Sequence, residues 1–172
     1  RTQDTDHLQG QQLLELARLD MSEGRFDSAM KQFQDALKLF RRLGDDQHEA
    51  QLLSDIGTLH QEMGDQEEAL SLYKEALLIA EKAGNNETVG ITLHNLGRVF
   101  EERGEHQKAL SHYQRAAGIA RKFGDDARLA RRLAVIANIH SKSGVPKKAI
   151  MSLNKAHEVV LRIGDQATLC MI

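Results

Sequence analysis

The 172-residue sequence contains one cysteine, one proline and no tryptophan. Because Cys170 is alone, an internal disulfide is impossible and a cysteine-based zinc cluster is disfavoured. Proline, the strongest helix breaker, is nearly absent, and β-branched and aromatic residues are thinly scattered, which disfavours a sheet. No apolar run approaches the ~18 residues that a membrane span needs, so we expect no membrane insertion. These absences together predict an all-α protein.

Charge is balanced over the chain but unevenly distributed along it. The sequence has 23 basic and 25 acidic residues, a formal net charge of −2. Residues 45–84 hold two basic residues against ten acidic ones, whereas residues 125–172 hold eight against four. A nucleic-acid-binding protein usually concentrates basic side chains on one face together with stacking aromatics, and this chain has only five Phe and two Tyr. We therefore expect no nucleic-acid partner.

Small residues recur with a period of 40. The repeating columns are Gly24, Gly64, Gly104 and Gly144; Gly44, Gly84, Gly124 and Gly164; Ala29, Ala69, Ala109 and Ala149; and Ala36, Ala76, Ala116 and Ala156. Several columns that stay in phase over the whole chain indicate an array of repeated units. The predicted units are residues 5–44, 45–84, 85–124 and 125–164, which form a single domain over residues 1–172.

Each unit divides at its glycines into two segments with helical periodicity. In the second unit, Leu52, Ile56, Leu59 and Met63 recur at spacings of three and four, which places them on one apolar face. Glycine suits the end of a helix, where the chain often adopts a positive φ. The pattern predicts eight helices of roughly 16 residues. It also predicts the start of a ninth, truncated helix over residues 165–172.

The register resembles the tetratricopeptide repeat, whose signature is W-x-x-L-G-x-x-Y followed by A-x-x-x-F. Residues 93–100, LHNLGRVF, match the first half with Leu in place of Trp, and Ala109 with Tyr113 match the second. The usual helix-ending proline is missing, and the period is 40 instead of 34. This long form is similar to the Pins/LGN-type adaptors and to kinesin light chain arrays. The resemblance implies a right-handed α-solenoid of four helix-turn-helix repeats.

The family binds peptides in a concave groove lined by the first helix of each repeat. Carried over by register, the groove residues of this chain are Arg18, Asp55, Ile91, His94, Asn95, Arg98, Arg131, Val135 and Asn138, and the candidate apolar anchors are Leu14, Ile91, Ala134 and Val135. An Asn amide pairs with a peptide backbone, and an Arg guanidinium binds a carboxylate through two hydrogen bonds. The resemblance therefore implies a protein-protein interaction scaffold or adaptor that binds a peptide segment, and the arginines favour a partner with acidic residues.

One alternative remains open: the chain is a regulatory or sensor domain of a larger protein whose effector domain lies elsewhere. A clamp for an acidic C-terminal tail, as in the co-chaperones of the family, is disfavoured. It is matched only at Asn95 and Arg131, and Ser54, Thr58 and Val135 stand where its other basic and amide groups should be. We also expect a cytoplasmic location and self-association through the uncapped C-terminal end.

The histidines and glycines give no catalytic or metal-binding motif. Neither G-x-x-x-x-G-K-[ST] nor G-x-G-x-x-G nor H-E-x-x-H is present, so we predict no enzyme activity, no cofactor and no metal site. His60 and His140 share a column with Phe100 and are expected to pack between helices. The expected solvated histidines are His48, His106, His112 and His157.

Overall fold

The computed structural model describes residues 2–169, which form eight helices joined by short turns. The helices are α1 (Thr2–Ser22), α2 (Phe26–Leu43), α3 (Asp46–Glu62), α4 (Gln66–Lys82), α5 (Asn86–Glu102), α6 (His106–Lys122), α7 (Asp126–Lys142) and α8 (Pro146–Leu169). The described part of the chain has no strand. The predicted all-α class and the four helix pairs are confirmed. Over the same residues, no helix combines the length and the apolar character needed to cross a membrane.

The helix boundaries follow the glycines and acidic residues of the sequence. Gly44 has a left-handed φ of 66° after α2, and its N–H donates to the Arg41 carbonyl. A residue with a side chain is strained in this conformation, which is why glycine occupies the turn. The Asp45 carboxylate then accepts the His48 N–H at the start of α3. Gly44 therefore ends α2, as the glycine spacing predicted, and Asp45 caps the start of α3.

The predicted boundary at Gly164 is wrong. Seven junction glycines have a positive φ, but Gly164 is not among them, and α8 continues without a break to Leu169. Glycine permits a positive φ without requiring one, and a glycine inside a helix keeps its backbone hydrogen bonds at a modest cost. Residues 170–172, the rest of the predicted ninth helix, lie outside the described residues.

The chain divides into two compact units, Arg1–Thr92 and Leu93–Ile172. In the first, Phe33, Phe40, Leu52 and Leu59 are fully buried and form one apolar core with the small residues of α1 and α2. α1 packs along α2 and α3 packs along α4. Each helix therefore buries the apolar face that its periodicity predicted.

The second unit has the same kind of core. Tyr113, Leu133 and Ile139 pack with the alanines of α6 and with Val159 of α8. Gly97 of α5 lies against Tyr113, so close that a Cβ atom at this position would be 2.7 Å from the ring atom Cε1. Gly57 of the first unit meets Tyr73 in the same way at 2.8 Å. The small columns of the repeat are thus the points where two helices approach closely.

Candidate peptide-binding surface

In the first unit, two of the predicted groove residues bind each other. Arg18 of α1 donates from Nη2 and Nε to Asp55 Oδ2 of α3, at 2.7 and 3.0 Å. Arg18 Nη1 also donates to Glu15 one turn earlier, at 3.1 Å. Partial burial raises the pKa of the Asp55 carboxyl, and the charge and hydrogen bonds of Arg18 oppose this shift. The two opposite charges predicted to face a ligand are therefore neutralised within the protein.

Ile91 lies beside this ion pair at the edge of a small cavity. The cavity has a volume of about 180 Å³ and is lined mainly by polar side chains of α1, α3 and α5. The lining residues are Arg18, Gln51, Ser54, Asp55, Asn85, Glu87, Thr88 and Ile91. Ile91 is 37% exposed and is the one predicted apolar anchor of this unit that a ligand can reach. Leu14 was predicted as a second anchor, and this is wrong, because it is buried in the core.

In the second unit, His94 lies half-buried on α5 with its ring tilted against Tyr113, at 5.2 Å between ring centroids. Burial, reinforced by the positive charges of Arg132 and Arg98, lowers the pKa of His94 to about 4. The imidazole is therefore neutral at pH 7. Its Nδ1 atom is buried and has no hydrogen-bond partner among the described residues.

Cations cluster around His94. Arg132 of α7 is half-buried, and its pKa is lowered by desolvation first and then by the neighbouring charges of Arg128 and Arg131. Arg98 of α5 lies 3.9 Å from Glu102, measured from Nε to Oε1. Arg132 was missed by the sequence analysis, although it directly follows the predicted Arg131. Consecutive residues of a helix usually point in different directions. The guanidinium groups of Arg131 and Arg132 nevertheless stay close enough to repel each other.

The remaining predicted residues of this unit differ in exposure. Arg131 and Asn138 are exposed on α7, and Asn95 is partly buried on α5. Val135 is partly buried and packs against the core of the unit, so only part of its side chain is open to a ligand. The second unit therefore offers cations, amides and a limited apolar surface.

A cluster that the sequence analysis missed lies in the first unit, outside this surface. His7, Asp45 and His48 bring three metal-binding side chains together, with ligand atoms within 4.8 Å of one another. His48 was expected to be solvated, and this is wrong, because its side chain is only 25% exposed and stacks on Phe40. No local motif signals the cluster, since His7 and Asp45 are far apart in the sequence.

A family model described as tetratricopeptide repeat matches residues 11–82, 67–122 and 88–162. These matches span most of the chain. The protein belongs to the tetratricopeptide repeat family. Proteins of this family are, in general, protein-interaction scaffolds, and this general class applies to the chain. No curated protein sequence matches it significantly.

Three solved structures share the fold at low sequence identity. Aspartyl phosphate phosphatase F from Bacillus subtilis has a TM-score of 0.87 and 19% identity over 92% of this chain. BtubC (BKLC) from P. vanneervenii has a TM-score of 0.78 and 21% identity over 88% of this chain, and MamA has 0.69 and 20% over 91%. The chain spans 63% of BtubC, 42% of the phosphatase and 81% of MamA. At such identities the likeness shows the tetratricopeptide-type fold alone.

Proposed function

We propose that the chain is a scaffold that binds an acidic peptide segment of a partner protein through the first helices of its repeats. The observation that carries this proposal is the group of cations near His94, Arg98 and Arg132. Burial first, and then the charges of Arg128 and Arg131, lower the pKa of the half-buried Arg132. A carboxylate placed among them relieves this repulsion and accepts paired hydrogen bonds.

Neighbouring groups offer hydrogen bonds and apolar contacts in addition to charge. Neutral His94 presents its half-buried ring beside the positive charges of Arg98 and Arg132. Asn138 is exposed on α7, and an amide both donates to and accepts from a peptide backbone. Val135 offers part of its side chain as an apolar contact. The arrangement suits an extended acidic segment with small apolar side chains.

The first unit contributes less charge to this proposal. A basic ligand group at Asp55 must displace Arg18, which holds the carboxylate through two hydrogen bonds. An acidic ligand group at Arg18 must likewise displace Asp55. We therefore assign the charge recognition to Arg98 and Arg131 of the second unit.

The test is a binding titration with a synthetic peptide that carries Asp and Glu beside leucine anchors. An isosteric peptide with Asn and Gln in place of the acids is the ligand control. In the protein, the Arg98→Glu, Arg131→Glu double variant is compared with Lys108→Glu, Lys122→Glu, which changes the net charge equally on exposed positions of α6.

The expected result is that the acidic peptide binds at least about tenfold more weakly to the α5–α7 variant, or ~1.4 kcal/mol. The α6 variant is expected to stay close to the wild type. Equal weakening by both variants indicates nonspecific attraction and contradicts the proposal. Equal affinity for the two peptides contradicts it as well.

A separate observation favours self-association through α8. The exposed apolar side chains of this helix are Ile150, Met151, Leu153, Val160 and Leu161, each more than half exposed. We propose that they pair two copies of the chain. Sedimentation equilibrium of wild type and of Ile150→Glu, Leu161→Glu tests this, since a concentration-dependent dimer should become a monomer. A wild type that is monomeric at high concentration contradicts it.

The likeness to the phosphatase structure covers the fold alone. The sensor-domain alternative and the cytoplasmic location stay predictions of the sequence. The sensor alternative gains support if the peptide titration fails while an effector domain is found beside these repeats.

A further inference from the structure

Three side chains from two helices and their junction converge at one end of the first unit. His48 Nδ1 lies 2.7 Å from Asp45 Oδ2, and His7 Nδ1 lies 3.3 Å from the same oxygen. His7 belongs to α1, Asp45 precedes α3, and His48 lies in its first turn. The side chains are 38%, 21% and 25% exposed, so the cluster is partly shielded and still reachable from solvent.

The packing of the unit holds these rings in place. His48 stacks on the buried Phe40 ring at 4.6 Å between centroids, and His7 meets Phe40 edge-on at 5.6 Å. Phe40 in turn lies against Gly10, where a Cβ atom would be 2.7 Å from Cζ. Gly10 is three residues after His7 on the same helix, so the close approach at Gly10 brings His7 up to Asp45.

The donor set fits a transition-metal ion, and its three ligand atoms lie within 4.8 Å of one another. Two imidazoles and one carboxylate are common ligands of zinc and of related divalent ions, with a further position open to water. Ligand atoms about 2.0–2.2 Å from a tetrahedral ion are roughly 3.3 Å apart. The His7–Asp45 separation already has this value, and the His48–Asp45 separation needs to widen by a few tenths of an ångström. The second oxygen of Asp45 accepts the His48 N–H at 3.1 Å, which orients the first oxygen toward both rings.

The repeat itself shows that the cluster is more than a helix cap. At the position of Asp45 in the fourth repeat, Asp125 accepts the Arg128 N–H and binds the Arg128 guanidinium at 2.8 Å. Arg128 therefore performs the capping and ion-pair role of His48 without offering a metal ligand. The positions that correspond to His7 hold Gln47, Glu87 and Ala127. A cap explains one histidine beside Asp45, and it leaves the second histidine unexplained.

We propose that His7, Asp45 and His48 bind a divalent transition-metal ion of the zinc class. The bound ion joins the start of α1 to the start of α3 and fixes the first turns of the array. Binding should therefore raise the thermal stability of the chain, because the ion binds the folded state and the unfolded chain lacks the assembled site.

The test uses the full chain, purified without a histidine tag. Co²⁺ is titrated and followed by its visible absorption, and Zn²⁺ is then added as a competitor. The informative variants are His7→Gln, which introduces the residue found at position 47, and His48→Arg, which copies the Asp125–Arg128 pair and keeps the cap. His60→Gln is the matched control, because His60 lies 3.4 Å from Asp65 with no second histidine in the described contact. Circular dichroism of each variant verifies the fold.

The proposal expects one Co²⁺ per chain, displaced by Zn²⁺, and a melting temperature that rises with Zn²⁺. His7→Gln and His48→Arg should each weaken binding by more than about 100-fold, beyond the loss that an outer-shell partner causes. Both folded variants should lose the thermal shift, and His60→Gln should retain it. Absence of wild-type binding, or wild-type-like binding by folded His48→Arg, overturns the proposal.

Discussion

The two units share a scaffold and differ in charge. The first unit, 1–92, contains nine basic and eighteen acidic residues, a net charge of −9, whereas the second, 93–172, contains fourteen and seven, a net charge of +7. Yet Gly57 meets Tyr73 in one unit as Gly97 meets Tyr113 in the other, with almost the same distance. The small and aromatic columns therefore specify the repeat in both units, while the charged positions differ between them.

The units also differ in how they treat the charges of their first helices. In the first unit, Arg18 of α1 is hydrogen-bonded to Asp55 of α3. The second unit keeps Arg131 and Arg132 close together on α7, where each repels the other. Four experiments test these similarities and differences.

The largest effect is expected at the close glycine–tyrosine contact that both units share. Gly97→Ala places a Cβ 2.7 Å from the Tyr113 ring, which must shift in a packed core. We expect a loss of about 1–3 kcal/mol in the free energy of unfolding, measured by urea denaturation. Gly118→Ala in α6 is the control, since nothing lies within 4 Å of its Cβ and the helix should gain up to about 1 kcal/mol. Equal effects at both glycines would contradict the close approach.

The second effect is a pH dependence confined to the second unit. The pKa of His94 is lowered to about 4 in the folded chain and stays near ~6.5 in the unfolded chain. The unfolded state therefore takes up a proton first, so stability is complete above pH 6.5 and falls toward pH 4. After allowance for partial exposure, we expect about 1–2 kcal/mol less dependence on pH in His94→Gln than in wild type.

Denaturation of both proteins between pH 4 and pH 7 measures the difference. His157→Gln, at an exposed position of α8, is the control and should follow the wild-type curve. A His94→Gln curve parallel to that of the wild type would contradict the burial of a neutral imidazole.

The third effect separates two helix starts. Asp125 accepts the Arg128 N–H, whereas Asp65 occupies the same kind of position without a side-chain cap bond. Asp125→Ala should therefore cost about 1 kcal/mol of unfolding free energy. Asp65→Ala should cost clearly less. The paired measurement is urea denaturation, and a larger loss for Asp65→Ala would show that the caps are assigned wrongly.

The smallest effect concerns the ion pair of the first unit. A double-mutant cycle of Arg18→Ala and Asp55→Ala should give a coupling energy of about 0.2–1 kcal/mol, because both side chains keep partial contact with solvent. High salt should reduce it. A coupling energy of zero in low salt would mean that Arg18 and Asp55 are as open to a ligand as the arginines of the second unit.

The repeat register was predictable because it rests on backbone and packing rules. A helix ends where glycine adopts a positive φ, and the spacing of Gly44 and Gly84 alone predicts such helix ends. Alanine and glycine columns mark close contacts because no larger side chain fits, as Gly57 shows. Gly164 has the same spacing, yet α8 continues through it. Glycine permits a positive φ without requiring one, so spacing alone does not decide where a helix ends.

The site was less predictable because pairing depends on side-chain reach. Register placed Arg18 and Asp55 on the same predicted surface but gave no sign that they bind each other. Asp20 shares the column of Phe100, yet it is buried, and hydrogen bonds from Ser28 and Arg25 lower its pKa. Such contacts join residues of different helices or loops. Their geometry appears only after the helices are packed.

Amide chemical-shift mapping tests whether the second unit binds acidic segments through α5 and α7. The acidic peptide of the titration is added to ¹⁵N-labelled protein, and the Asn/Gln peptide serves as the control. We predict the largest shifts at residues 94–98 and 131–138, with small changes at residues 106–122 of α6. Shifts concentrated on α6 or α8, or equal shifts with the uncharged peptide, would contradict the account.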